Sequence, residues 1–329
     1  MGKETTHMRD TWGRTIDYLR ISLTDRCNLR CRYCMPSDVP SVGHDEILRY
    51  EEILEICNAA VSLGINRFKV TGGEPLVRKG ALSFISKLTA LPGVCDVTLT
   101  TNGQLLNKAL PVLCQAGVSS INISLDTLSA SQYANLTGGG KLDVVLSALR
   151  QALTRPVRIK VNAVLLEETV SQILPLAELA RDWPLDVRFI ELMPIGCGRQ
   201  MKGVPVGEAF SRLKQVWPDL SPCRHHGNGP AVYYGSTSLT GHIGFIGANT
   251  HQFCHSCNRL RLTSTGVLKP CLCYEQGISV RDIIRSGLPD RQERLRQAVT
   301  RAIMAKPEQH QFSDASRITE HKTMNQIGG

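Results

Sequence analysis

The sequence predicts an α/β protein, a partial (β/α)6 barrel over residues 1–192 followed by a C-terminal extension over residues 193–329. Three observations carry this. Six short β-branched runs alternate with amphipathic helical stretches through the first 192 residues. A polar or glycine-rich motif follows nearly every run, and beyond about residue 193 the alternation breaks.

In order, YLRISLT leads through a cysteine-bearing loop to the helical stretch YEEILEICNAAVSLG, which closes on Gly64. RFKVTGG precedes the helix ALSFISKLTAL, and DVTLTTNG precedes NKALPVLCQAG, which closes on Gly117. SINISLD is followed by LDVVLSALRQAL, VRIKVNAVL by VSQILPLAELARDW, and DVRFIEL ends the series. Strands alternating with helices imply a parallel sheet of βα units. Six units are too few for a closed eight-stranded barrel, so the barrel is expected to be open. TDRC, TGGEP, TTNG, SLD, KVN and ELMP are the polar or glycine-rich motifs read as following nearly every strand. Active sites of such barrels lie at the C-terminal ends of the strands, so that rim is the expected site. In the extension, LMPIGCGRQMKGVPVG reads as a loop and EAFSRLKQVW as a helix. AVYYGS and HIGFIG read as short strands, VRDIIRSG and QERLRQAVTRAIMAK as helices, and the chain closes on TMNQIGG.

Composition narrows the setting. A chain of 329 residues can bury a barrel-sized core with an addition, and 42% hydrophobic with 20% charged residues is ordinary for a globular protein. No run approaches the roughly 20 apolar residues of a membrane span. The start, MGKETTHMRDTWGRT, has neither a signal-peptide core nor a transit-peptide profile, so the expectation is a cytoplasmic protein without membrane contact. Twelve cysteines in a reducing compartment point to metal ligands and small buried hydrophobes rather than disulfides. The net charge of +9 suits an anionic partner, either nucleic acid or a phosphorylated small molecule.

The loop SLTDRCNLRCRYCMP carries Cys27, Cys31 and Cys34 as C-x3-C-x2-C. Thiolate sites normally have four ligands, and soft sulfur suits zinc or an iron–sulfur cluster. Three thiolates on one loop can hold three irons of a cubane and leave the fourth iron open to a small molecule. A structural zinc site with a distant fourth ligand is the competing reading. With Tyr33 just before the last cysteine, the motif resembles the signature of radical S-adenosylmethionine enzymes. The resemblance implies that the open iron chelates the amino and carboxylate groups of S-adenosylmethionine. One electron then cleaves the cofactor to methionine and a 5′-deoxyadenosyl radical. TGGEP, Thr71 to Pro75, fits this setting: paired glycines let backbone approach a ligand, and Glu74 can accept from the methionine ammonium.

A second group, FCHSCNRLRLTSTGVLKPCLC, places Cys254, Cys257 and Cys271 as C-x2-C-x13-C, with Cys273 two residues on. Taken alone, four cysteines allow a zinc ribbon or a closed relay cluster. Arg259 and Arg261 stand two apart on a strand-like run and so point to one face, which suits an anionic substrate beside the metal.

This second motif, the first motif and the terminal Gly-Gly together resemble one family over essentially the whole chain: the GTP 3′,8-cyclases, which begin molybdenum cofactor biosynthesis. The resemblance implies radical-mediated cyclisation of GTP to (8S)-3′,8-cyclo-7,8-dihydroguanosine 5′-triphosphate. It implies one 4Fe–4S cluster on Cys27, Cys31 and Cys34, and a second on Cys254, Cys257 and Cys271 whose open iron takes the guanine of GTP. Tyr33, Gly73, Ser124 and Met193 are implied as contacts of S-adenosylmethionine. Arg20, Lys69, Thr100, Lys160, Arg259 and Arg261 are implied for GTP, with Arg20, Arg259 and Arg261 as the catalytic cations. Gly328 and Gly329 are implied to reach the active site. Cys273 is expected to be a bystander, and Cys57, Cys95, Cys114, Cys197 and Cys223 to be structural. Lys69 stands where many relatives carry arginine, and GFIGANTHQFC lacks a proline and a serine of the family pattern. The implied partners are a one-electron donor and, downstream, cyclic pyranopterin monophosphate synthase. A homodimer is compatible with the sequence and nucleic acid is not an expected partner. Two alternatives remain at this level: a peptide-modifying radical S-adenosylmethionine enzyme with an auxiliary cluster, and a basic zinc protein that binds nucleic acid.

Overall fold

The computed structural model describes residues 8–36, 42–224 and 227–328. All six expected strands form: β1 (Tyr18–Ser22), β2 (Arg67–Thr71), β3 (Asp96–Thr101), β4 (Ser120–Ser124), β5 (Arg158–Leu165) and β6 (Asp186–Glu191). They pair in parallel and in sequence order. The crossovers run through α1 (Tyr50–Val61), α2 (Ala81–Thr89), α3 (Leu106–Gln115), α4 (Ala130–Thr137), α5 (Leu142–Leu153) and α6 (Ile173–Asp182). The periodicity does not show α4, because SASQYANLT is mostly polar and buries only Tyr133, Leu136 and Thr137. Local chemistry delimits it instead: the Ser129 hydroxyl accepts from the Gln132 N–H, and left-handed Gly138 ends it.

Alternation sorts each strand into two faces. Leu19 and Ile21, Phe68 and Val70, Ile121 and Ile123 lie in one core with the inner faces of the helices. Burying such a side chain is worth about 1.5–3 kcal/mol, so register is strongly fixed, and the intervening residues must face the barrel interior. Those residues include Arg20, Lys69, Asn122, Lys160 and Arg188.

The extension continues this sheet at both edges. After α7 (Val206–Val216) come β7 (Ser221–Pro222), β8 (Val232–Gly235) and β9 (His242–Ile246), and β9 pairs in parallel with β6. On the opposite edge β10 (Arg259–Leu262) pairs in parallel with β1, followed outward by β11 (Val267–Lys269) and β12 (Ile278–Ser279). Among the described residues the result is one open twelve-stranded sheet, β12-β11-β10-β1-β2-β3-β4-β5-β6-β9-β8-β7. The break expected near residue 193 is thus a break in helix alternation, while the sheet runs on through it. α8 (Arg281–Arg285) and α9 (Arg291–Met304) return to α1, where Arg285 pairs with Glu52 at 2.8 Å and Arg291 with Glu55 at 2.9 Å. No helix among the described residues is long and apolar enough to cross a membrane.

One consequence positions the site. Residues 254–258 precede β10, which runs parallel to β1, whereas loop 27–34 follows β1. The two cysteine groups therefore lie at opposite ends of the strands. A five-residue strand rising ~3.3 Å per residue sets them roughly 15–20 Å apart.

Candidate active site

The first cysteine loop leaves β1 and is tied down by backbone bonds from Cys34 N and Met35 N to Cys31 O, at 2.9 and 3.1 Å. Cys27 Sγ accepts from Leu29 N at 3.4 Å and from Asn102 Nδ2 at 3.6 Å. The three thiols share one low-dielectric space. Burial, then Cys34, Asp126 and Cys27, raise the Cys31 pKa, and burial with Cys27 and Cys197 pushes Cys34 up to about 12. Cys197 belongs to no motif in the sequence, and only the fold brings it beside Cys34.

The TGGEP turn packs on this loop. Gly73 N donates to Thr24 O at 2.6 Å and Glu74 N to Arg26 O at 2.8 Å. A Cβ on Gly72 would stand 2.7 Å from Thr24 O, and one on Gly73 would meet the carbonyls of Asp25 and Arg26. The close approach that needs these glycines is therefore to the cysteine loop itself. The Glu74 carboxylate is tied into the fold. It accepts from Leu76 N at 3.0 Å, Thr101 Oγ1 at 2.9 Å and Asn102 N at 2.7 Å. Burial pushes its pKa up to about 7 against those bonds.

Tyr33 is oriented by Asp126, whose Oδ2 accepts from the tyrosine hydroxyl at 2.8 Å while Oδ1 accepts from Val164 N at 2.7 Å. Ser124 ends β4, and Met193 lies two residues past β6, packed on a small core with Ile195 and Ile327. These residues occupy the strand-end rim, as expected.

The cations do not. Arg20, Lys69 and Lys160 are each the third residue of their strands, so they line the interior below the rim. Arg20 stands in register between Arg261 and Lys69. Burial depresses the Lys69 pKa well below its usual value, helped by Arg188, Arg20, Lys160 and Arg259. Burial also lowers Arg20 to about 10, with Arg259 and Arg188 adding to it and Tyr18 opposing. Lys160 Nζ is held by Asp186 at 3.0 Å and by the Tyr233 hydroxyl at 2.8 Å. Arg188, which no spacing rule marks, joins the set, with Nε and Nη2 on Asn162 Oδ1 at 2.9 and 2.6 Å. Thr100 Oγ1 accepts from Asn122 Nδ2 at 3.3 Å, and the Arg259 guanidinium lies 5.0 Å above the Phe253 ring.

At the far end, burial first raises the pKa values of Cys254 and Cys271, and neighbouring thiols add to it: Cys271 and Cys257 for Cys254, Cys257 for Cys271. Cys257 differs: burial opposes ionisation, but Arg259 and Lys306 outweigh it and hold the thiol at about 6. Cys273 is buried and accepts from Gln311 N at 3.4 Å. Among the described residues no three His, Cys, Asp or Glu side chains close on a single ion-sized position. Each trio offers three soft thiols with N–H donors onto sulfur, a donor set that fits an iron–sulfur cluster with one iron unligated by the motif.

The tail reaches the rim. Met324 N donates to Cys34 O at 3.2 Å, Asn325 Nδ2 to Asp25 O at 2.9 Å, and Arg261 Nη1 to Gly328 O at 3.2 Å. Gly328 takes φ +76°, and a Cβ there would come 3.1 Å from Ser22 Cβ. Gly329 lies outside the described residues.

Comparison with known proteins bears on this arrangement. The model of the Radical SAM superfamily matches residues 21–180, and that of Molybdenum Cofactor Synthesis C matches residues 185–312. The GTP 3′,8-cyclases of Clostridium perfringens strain 13 and Moorella thermoacetica are each 42% identical to the chain, covering 98% of it and 100% of their own length. Among solved structures, Streptococcus suis SuiB bound to S-adenosylmethionine shares the fold at a TM-score of 0.65 and 13% identity. That match covers 95% of this chain and 77% of SuiB. A cysteine loop on the rim, a polar barrel interior and full-length identity of this degree lead to one assignment: the chain belongs to the GTP 3′,8-cyclase family within the radical S-adenosylmethionine superfamily.

Proposed function

We propose that the chain cyclises GTP to (8S)-3′,8-cyclo-7,8-dihydroguanosine 5′-triphosphate, the opening step of molybdenum cofactor biosynthesis, with GTP held inside the barrel between the two cysteine groups. The observation that carries this is the interior cation set. Lys69, Lys160 and Arg188 are buried, Arg20, Arg259 and Arg261 are half-buried, and strand alternation turns all six to the barrel interior. Crowding cations out of water is costly without counter-charge, and a triphosphate brings several negative charges to charge-assisted bonds.

Substrate and product are isomers. The C3′–H bond is lost, a C3′–C8 bond forms, and one electron and one proton complete N7–H. Cys27, Cys31 and Cys34 would hold a 4Fe–4S cluster and, on it, S-adenosylmethionine, which would supply the chemistry of one-electron hydrogen abstraction at C3′. This chain's residues bind and orient. Tyr33, fixed by Asp126, and Gly73, Ser124 and Met193 frame the cofactor side. Arg20, Lys69, Thr100, Lys160 and Arg188 take the triphosphate and ribose. Cys254, Cys257 and Cys271 would hold a second 4Fe–4S cluster offering an open iron to the guanine, and Arg259 and Arg261, on the strand that follows Cys254 and Cys257, would orient the substrate beside it. Residues 1–192 thus supply most of the cofactor side, and residues 193–329 supply Met193, the second cysteine group and the tail. The reading requires a one-electron donor and a synthase that consumes the cyclised nucleotide, and it accommodates a homodimer.

The test is isotopic. GTP deuterated at C3′ should pass its label into 5′-deoxyadenosine in the first turnover. Unlabelled 5′-deoxyadenosine alongside product would overturn the placement of C3′.

A further inference from the structure

Lys306 is among the most deeply buried lysines of the chain, 4% exposed, and no carboxylate is among its hydrogen-bond partners. Its Nζ lies 2.7 Å from Arg259 O, 2.9 Å from Pro270 O and 3.6 Å from Cys257 Sγ, which uses all three ammonium donors. Arg259 lies two residues beyond Cys257, and Pro270 immediately precedes Cys271. One ammonium therefore ties together the two segments that carry these cysteines.

The segment that delivers it is itself gripped. Arg14 is buried and oriented by Asp10 at 2.6 Å. Its Nη1 donates to Cys254 O at 2.8 Å and Glu308 O at 2.9 Å, and its Nη2 to Pro307 O at 2.8 Å. Trp12 Nε1 adds a bond to Lys306 O at 3.0 Å. Further along, His310 N donates to Cys254 Sγ at 3.4 Å. Residues 306–310 thus form a strap around the second cysteine group, anchored by residues from the N-terminal arm.

We propose that Lys306 is a positioning residue for the group held by Cys254, Cys257 and Cys271: it clamps the two cysteine segments and raises the reduction potential of a cluster bound there. This rests on the reading that those cysteines hold a cluster. A buried ammonium without a carboxylate is compensated only if its surroundings are negative, as thiolate-ligated iron is. Positive charge and hydrogen bonds onto ligand sulfur favour the more negative, reduced state and so raise the potential. No motif of spacing announces this role, because Lys306 reaches the site from the far end of α9.

The test uses full-length protein reconstituted anaerobically, comparing wild type with Lys306→Gln and Lys306→Arg. Iron and sulfide content, potentiometric titration followed by EPR, and the rate of iron release to a chelator are the readouts. In Lys306→Gln the second cluster should titrate at a lower potential and lose iron about 10- to 100-fold faster, the usual cost of losing an outer-shell partner. Lys306→Arg should stay near wild type, and the first cluster should be unchanged in both. Equal potential and release rate in Lys306→Gln would overturn the proposal. A wild type holding iron for the first cluster alone would instead overturn the underlying reading, and the proposal with it. Should Lys306→Gln fail to fold, Arg14→Lys decides: it loosens the strap and should speed release from the second cluster, and an unchanged rate counts against the clamp.

Discussion

Arg261 meets more of the site than any single motif suggests. It stands in register with Arg20, has Arg20 and Arg259 as electrostatic neighbours, and donates to Gly328 O at 3.2 Å. Burial first, then those two arginines, depresses its pKa well below the usual value, so its charge is held at a cost that an anionic substrate would offset. Arg261→Ala should keep the iron of both cysteine groups and lose cyclisation by about 10²-fold or more, as loss of a preorganised donor does. Iron analysis beside product formation checks this, and undiminished product would contradict it. Legibility at this scale follows chemistry. Cysteine spacing and the paired Arg259 and Arg261 are local patterns, so the sequence displays them. Arg188, Arg14, Lys306 and Cys197 act through neighbours remote in sequence, and nothing local distinguishes them from ordinary residues.

The decisive element is the turn after β2. Gly72 and Gly73 have ordinary backbone angles but sit where another backbone passes, against the loop that carries Cys27, Cys31 and Cys34. Gly73→Ala would drive a methyl into the Asp25 and Arg26 carbonyls, and backbone cannot move aside as a flexible side chain would. The variant should lose or loosen the first cluster while retaining the second, seen as roughly half the iron and no cleavage of S-adenosylmethionine. Full iron with normal cleavage would show that the two loops can part without consequence. The sequence makes the glycines visible but not their neighbour, since contact between the turns after β1 and β2 is a product of strand pairing. The six parallel strands were legible because alternation of apolar and polar residues is strong in each. Helix α4 was not, because its capping outweighs its weak periodicity.

At the scale of the molecule, the extension adds strands to both edges of the barrel sheet, and that choice distributes the chemistry. β10 beside β1 carries Arg259 and Arg261 into the interior and leaves Cys254, Cys257 and Cys271 at the end opposite the first trio. The rim expectation holds for Tyr33, Ser124 and Met193 and fails for the cations. Two-residue alternation inside short strands turns Arg20, Lys69 and Lys160 inward below the rim. Sequence motifs mark strand ends well, whereas depth inside a barrel depends on register and closure. The likeness to SuiB concerns the fold, while identity of 42% over the full chain speaks for the cyclase. The measurement that tests this most directly is anaerobic turnover of reconstituted protein with S-adenosylmethionine and reductant, with and without GTP. The account predicts that GTP disappears in step with the formation of 5′-deoxyadenosine and yields a cyclised nucleotide. Cleavage of the cofactor with GTP untouched, in protein carrying both clusters, would contradict it.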